Sequence, residues 1–324
     1  MHMSRCVLGL AIAANVLAVP AVSAQEYPAK PVRIVVPFTP GGGNDIVARI
    51  LGKQLTEMHK QQFIVENRPG AGTIIGVDAV AKSPPDGYTL MVTNNSIAVN
   101  QTLYPKLPYD TLKDVTPIVK IASTPNVLVV HPSVPAKTTK EFIALVKAKP
   151  DQIAYSSAGT GSTAFLAAEL FKLLTGTKML HVPYKGTSPA LTAILSGETQ
   201  ASVVALPGAV PHIKSGKLRA LGVTSAKRAT SMKEIPTMIE GGVSGFDFET
   251  WYGLFGPAGL PRDIVSKANG STNKVLELPN VKDVLAKQGI DPAGGTPEAF
   301  DKIFRAEVVT LGKVIKASGA KPET

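Results

Sequence analysis

The chain is poor in the residues that staple or colour many small proteins. It has one cysteine, Cys6, one tryptophan, Trp251, and only 6% aromatic residues. A lone cysteine within the first two dozen residues excludes an internal disulfide framework, and its removal with a leader would exclude thiol chemistry altogether. The five histidines show no H-x-x-H or H-E-x-x-H spacing, so a metal site has no support and no cofactor is expected. No block of five or more Lys/Arg occurs, and basic residues do not interleave with aromatics. The net charge of +10 therefore reads as scattered surface lysine and not as a nucleic-acid footprint. After residue 19 no apolar run reaches membrane-spanning length.

Residues 1–24 are expected to be a cleavable export signal. Arg5 supplies the positive start, residues 6–19 the short apolar run, and Val22-Ser23-Ala24 the small-residue cleavage site. Cleavage after Ala24 removes Arg5 and no acid, so the charge becomes +9 on 300 residues. That length exceeds one ordinary compact domain, so two lobes are expected. The expected compartment is a bacterial periplasm, and a positive field there draws in anionic solutes.

Strand and helix signals alternate. Residues 32–36 form an apolar run before Pro37, and Ile46, Val47, Ile50, Leu51 and Leu55 then recur at helical spacing. Strands at 63–65 and 88–93 flank a helix at 74–81, so the order is β-α-β-α-β and the sheet parallel. A second such series starts at 127–131. Thr138 and Glu141 have capping-box spacing before a helix at 142–147. Ser188-Pro189 is expected to start another helix with serine as its cap. Helices are expected at 262–276, 279–288 and 297–318, the last beginning at Thr296-Pro297.

Two glycine-rich turns, each between a strand and a helix, dominate the functional reading. The first runs Phe38-Thr39-Pro40-Gly41-Gly42-Gly43-Asn44-Asp45, the second Ser157-Ala158-Gly159-Thr160-Gly161-Ser162-Thr163. Glycine lets the backbone turn tightly and approach a ligand closely, and a helix N-terminus favours negative charge. The pair points to two lobes gripping one small carboxylate. The ligand-binding candidates are Phe38, Thr39, Pro40, Gly41, Gly42, Asn44, Asp45, Ser157, Gly159, Thr160, Gly161, Ser162 and Thr163. Asn95 and Ser96 join them after the third strand, Lys185 as the one cation that topology brings near the cleft, and Leu206 as an apolar wall. Asp45 reads as a helix cap or an organiser of the turn and not as a direct ligand group. Asn44 either donates its amide or turns the chain. Trp251 reads as hinge packing or as a stacking surface. Valine at Gly42 or Gly161 is expected to abolish binding with the fold intact.

Several motifs in order resemble one family: Pro37-Phe38-x-x-Gly41-Gly42-x-x-Asp45, Glu66-Asn67-Arg68-Pro69-Gly70-Ala71-Gly72, Pro85-Asp86-Gly87-Tyr88-Thr89-Leu90, Leu107-Pro108-Tyr109-Asp110, His181-Val182-Pro183-Tyr184-Lys185-Gly186, Gly216-Lys217-Leu218-Arg219-Ala220-Leu221 and Trp251-Tyr252-Gly253-Leu254. From Tyr27 to the C-terminus the chain resembles the Bug-family solute receptors of tripartite tricarboxylate transporters. The resemblance implies an α/β fold of the periplasmic binding protein type II kind, two lobes with a ligand cleft between them. It implies crossings near 124–128 and 248–254, with 25–124 and 250–324 in lobe one and 125–249 in lobe two. It also implies a small organic acid as ligand, membrane transporter subunits as partners, and a monomeric receptor. Thr73 and Phe165 depart from the family's commoner glycine-type residue and histidine, and 203–207 is more apolar than in many relatives.

Rival readings are weaker. Gly186-Thr187-Ser188-Pro189-Ala190 lacks the second glycine of a hydrolase nucleophile elbow. Gly70-x-Gly72-x-x-Ile75-Gly76 misplaces the third glycine of a dinucleotide fingerprint. A receptor used for sensing has the same sequence signature as one used for transport.

Overall fold

The computed structural model describes residues 27–322; the expected leader, with Cys6, lies outside the described residues. The first apolar run forms β1 (Val32–Val36), and the glycine turn leads into α1 (Gly43–His59), whose Val47, Ala48, Leu51 and Leu55 are buried as one stripe. β2 (Phe63–Asn67), α2 (Ile74–Ala81), β3 (Thr89–Asn94) and α3 (Ser96–Leu103) follow. β1 lies between β2 and β3, parallel to both. All three strands thus end at one edge, and that edge carries the loops 38–42, 68–73 and 94–95.

β4 (Val115–Val130) runs through both halves of the molecule. Residues 115–125 pair antiparallel with β9 (Glu249–Pro257), which itself borders β3. From Asn126 onward β4 pairs with β7 (Ala201–Ala205) and β8 (Arg219–Val223) instead. Beyond β7 lie β5 (Ala154–Ser157) and β6 (Leu180–Pro183), all three parallel. Each half therefore repeats one plan, three parallel strands and one antiparallel crossing strand. α4 (Thr139–Ala148), α5 (Thr163–Thr175), α6 (Thr187–Leu195) and α7 (Leu206–Lys214) belong to the second half. After β9 come α8 (Arg262–Glu277), α9 (Pro279–Lys287), the short β10 (Asp291–Pro292) on β4, and α10 (Pro297–Ser318).

The place where β4 changes partners is tied by buried polar groups. The Asn126 backbone N–H donates to Thr224 Oγ1 at 2.9 Å, and Thr224 Oγ1 donates to the Phe248 carbonyl at 2.6 Å. Thr250 Oγ1 donates to Asn126 Oδ1 at 3.1 Å. Thr124, Asn126, Thr224 and Thr250 are all buried. These bonds fix one crossing geometry, with Asn126 Nδ2 the one buried side-chain atom of the four residues left unmatched. α10 packs on α3, α5 and β4 and so touches both halves. Its Phe300 and Phe304 are 1% exposed and meet Trp251 and Phe255. Each such ring contributes about 2–3 kcal/mol by leaving water.

The expected caps are present at Thr138, whose hydroxyl accepts from the Glu141 N–H, and at Thr296, which accepts from Ala299. Ser188 is a correction. α6 starts two residues earlier, at Thr187 and not Pro189, its N-cap is Gly186 at φ +115°, and Ser188 lies inside the first turn with no capping bond. Glycine takes that left-handed position without a Cβ clash, so no serine cap is required.

Candidate functional site

The first glycine turn is open. Thr39, Pro40, Gly41 and Gly42 are exposed, with Phe38 half-buried beneath them. A Cβ at Gly41 would meet nothing within 4 Å, and one at Gly42 only the Thr39 carbonyl at 4.0 Å. The N-cap of α1 is Gly42, and no side chain caps the helix. The first amides of any helix have no partner within it, so those of Gly43, Asn44 and Asp45 face outward as donors at the positive end of the dipole.

Asp45 does not cover them. Its carboxylate turns back, accepting from the Gly41 N–H at 3.0 Å, Arg49 Nε at 2.9 Å and Asn67 Nδ2 at 2.9 Å. Burial would raise its pKa, but the bonds from Arg49, Gly41 and Asn67 outweigh burial and hold it below the usual carboxylate range. Asn67 Nδ2 also donates to the Phe38 carbonyl at 3.1 Å. Asp45 therefore shapes the turn from behind, with its charge paired.

Asn44 is 5% exposed, and its Oδ1 is buried with no hydrogen-bond partner. Turning the carboxamide by half a revolution puts N–H donors at the same spot. One buried carboxamide atom left unpartnered beside backbone donors fits a group that takes its partner from a ligand.

The neighbouring turn is strained. Gly70, Ala71, Gly72 and Thr73 all have positive φ, Thr73 at +83°. A β-branched residue there costs on the order of 1–3 kcal/mol. Thr73 is held by Asn100, whose Nδ2 donates to Thr73 Oγ1 at 3.0 Å and to the Tyr109 hydroxyl at 2.9 Å. A φ of +83° is one that glycine takes without strain, so Thr73 stands where the backbone favours glycine.

The second turn is tighter and more enclosed. Ser157 is buried; its Oγ accepts from the Gly159 N–H at 3.1 Å and lies 2.7 Å from His181 Nε2. His181 lies between the Tyr155 and Phe165 rings, at 4.9 and 4.8 Å. Ser162 caps α5 by accepting from the Phe165 N–H. Thr160, Ser162 and Thr163 are half-buried at the mouth of the turn. Gly159 and Gly161 have φ of +111° and +83°, and a Cβ on Gly161 would approach Leu103 of α3 to 2.8 Å. The second turn thus rests against α3 of the first half of the molecule. Valine at Gly161 would strain the backbone and strike Leu103, so the expectation that both glycine variants keep the fold survives only for Gly42, whose φ is −82°.

Other candidates are placed differently. Asn95 is fully buried, and its carboxamide is committed: Oδ1 accepts from the Trp251 N–H at 3.0 Å, and Nδ2 donates to the Glu249 carbonyl and to Glu307 Oε2. Ser96 is 5% exposed at the start of α3. Leu206 points into the core of the second half with Val127, Val129 and Val204; Ala205 and Pro207 beside it are half-buried. Lys185 is exposed between β6 and α6. Trp251 is 1% exposed and packs at the crossing. His181 and Glu307 were not singled out as site residues; each meets its partner only through the fold.

A family model for the tripartite tricarboxylate transporter family receptor matches residues 47–320. The chain belongs to this receptor family. Protein BugT of Bordetella pertussis is 38% identical over 99% of both chains. Among solved structures, R. palustris Rpa4515 with adipate is 34% identical, covers 92% of this chain and 100% of its own, and superposes with a TM-score of 0.84. MatC from Rhodopseudomonas palustris with bound malate is 30% identical, covers 89% and 100%, and gives 0.81. The periplasmic binding protein BugD gives 0.81 at 30% identity. The receptor family is one of solute-binding proteins with the two-lobed periplasmic binding protein fold, which matches the repeated sheet plan above. Among the described residues no helix is long and apolar enough to cross a membrane, and no group of histidine, cysteine and carboxylate side chains could hold a metal ion.

Proposed function

We propose that this receptor captures a small organic carboxylate between its halves in the periplasm and delivers it to the membrane subunits of a tripartite transporter. The observation that carries the reading is the start of α1, uncapped by any side chain beneath the exposed Gly41 and Gly42, with the unpartnered end of the Asn44 carboxamide beside it. One carboxylate group sits on the amides of the first turn, from Gly42 to Asp45, with Asn44 and Thr39 completing its shell. Thr160, Ser162 and Thr163 reach it from the second turn as the lobes meet. The lobes are residues 25–124 with 250–324, and 125–249. Asp45, Ser157 and Asn95 hold the turns in shape.

The far end of the ligand lies toward Ala205 and Pro207, with Lys185 at the rim. One cation and an apolar wall suit a mono- or dicarboxylic acid with an aliphatic or aromatic body better than a tricarboxylate. Relatives solved with adipate and malate support that class. Closure follows from differential contact, because a ligand touching both turns binds only the closed form fully and shifts the population to it.

A thermal-shift panel of small acids tests this reading. A ligand that binds only the native state raises Tm by mass action, and 100-fold saturation corresponds to about 2.7 kcal/mol. Adipate, malate, benzoate, terephthalate and citrate, each beside its uncharged amide, form the panel. At least one mono- or dicarboxylate should raise Tm and its amide should not. No shift with any acid, or equal shifts with the amides, overturns the reading.

A further inference from the structure

Glu307 stands out from the other carboxylates of the described chain. It lies on α10, the helix that packs against both halves, and its carboxyl end points inward. Oε2 accepts from Trp251 Nε1 at 2.6 Å and from Asn95 Nδ2 at 2.9 Å. Trp251 is on the crossing strand β9, and Asn95 directly precedes Ser96 at the ligand edge of β3. Asn95 also holds the backbone of β9 at two points, the Trp251 N–H and the Glu249 carbonyl. One carboxylate thus joins the C-terminal helix, the crossing strand and a turn at the candidate site.

Among the described residues that carboxylate forms no ion pair within 4 Å, whereas Asp45 is paired with Arg49 and Glu169 with Lys172. The elements around it bring little charge. β4 carries Lys120, which acts on it from a distance. α3 has no ionisable side chain. On α5, Glu169 and Lys172 are occupied with each other, and Glu169 also accepts from the Tyr155 hydroxyl. From β9, Glu249 turns its backbone carbonyl to Asn95, and Tyr252 belongs to the core on the other side of the strand. On α10 itself, Asp301 and Arg305 pair with each other.

We propose that Glu307 is a positioning residue through which a proton and the anionic ligand are linked: ionised, it places an unpaired negative charge behind the ligand edge, and neutral, it holds the same geometry without that charge. The proposal rests on the carboxylate reading of the site. Coupling is reciprocal: an anion brought to the edge favours the neutral acid, so proton binding tightens ligand binding by the same factor. Desolvation raises the Glu307 pKa to about 7, outweighing the bonds from Trp251 and Asn95 and the charge of Lys120, so the switch falls within the working pH range.

The single tryptophan is the reporter, since its indole N–H touches the titrating group. Trp251 emission of the full mature chain, titrated from pH 5 to 9, should show a transition near 7. E307Q, which keeps an acceptor oxygen for both donors, should lose it. Lys120→Met should move the midpoint up, because a favourable positive charge is removed. With a saturating acid that raises Tm in the panel above, adipate tried first, the wild-type midpoint should rise by at least half a pH unit. Calorimetric affinity should tighten by about twofold or more between pH 8 and pH 6.5 in the wild type, as a half-unit displacement requires, and stay flat in E307Q. The same transition in E307Q and no displacement in Lys120→Met would overturn the proton assignment. An unmoved midpoint despite Tm stabilisation by the acid would overturn the linkage alone. Absence of stabilisation by every acid would instead remove the site reading on which the linkage rests.

Discussion

Gly42 separates binding from folding at the scale of one residue. Its φ is −82°, and a Cβ there would stand in open space above the donors of α1. Gly42→Val should therefore keep the fold at a cost of about 1 kcal/mol, since valine is a poorer N-cap than glycine, while acid-induced stabilisation disappears. Differential scanning calorimetry with and without ligand checks both halves of that statement. Gly43, next along, behaves in the opposite way. A Cβ there would lie 2.2 Å from the Tyr252 hydroxyl, so Gly43→Ala should cost about 1–3 kcal/mol by overpacking. Urea unfolding measures it, and an unchanged midpoint would contradict the packing described. Glu307 makes stability depend on pH. Its raised pKa means the native state keeps a proton that the unfolded chain has lost. Its contribution is full below the ordinary carboxylate range and is lost as pH rises to about 7, on the order of 2 kcal/mol relative to E307Q. Parallel pH–stability curves for the two proteins would refute this. The glycines and Asp45 were visible in the sequence because turn chemistry is local. The Asn95–Glu307 bond was not, because its partners lie 212 positions apart and neither has a local signature.

Elements with one strong apolar stripe were readable to within a residue or two. α8, α9 and α10 lie almost where periodicity put them, and Thr296 opens α10 as its cap position implied. Thr138→Ala should therefore cost about 1 kcal/mol through the lost cap on α4. Ser188→Ala should cost less than half of that, because Gly186 and not Ser188 ends the turn before α6. Chemical denaturation of the two variants side by side tests this contrast. Three elements escaped the pattern for physical reasons. α3 buries nearly its whole surface between the halves, so it has no polar face to generate a period. β4 contains Pro117 and Pro125, which argue against a strand interior. They are accommodated where the register shifts near Pro117 and where the strand changes partners after Pro125. α7 begins with Pro207 in its first turn and holds Pro211 inside, so it reads as a loop.

The whole molecule is two copies of one sheet plan joined by β4 and β9, with α10 laid across both. The two-lobe plan was legible from the alternation of strands and helices and from the repeated glycine turn. The contact of Gly161 with Leu103 was not, since it depends on how the halves meet. If closure captures the ligand, small-angle scattering should show a smaller radius of gyration on adding a bound acid, and Gly42→Val should show no change. The positive net charge should also speed capture, so the association rate should fall as salt rises. The most direct test of the central claim is a calorimetric titration of the wild type and Gly42→Val with the tightest acid of the panel and with its amide. The account predicts heat of binding for the wild type with the acid alone and none for the other three pairings. Comparable binding of the acid by Gly42→Val, with its fold intact, would contradict it.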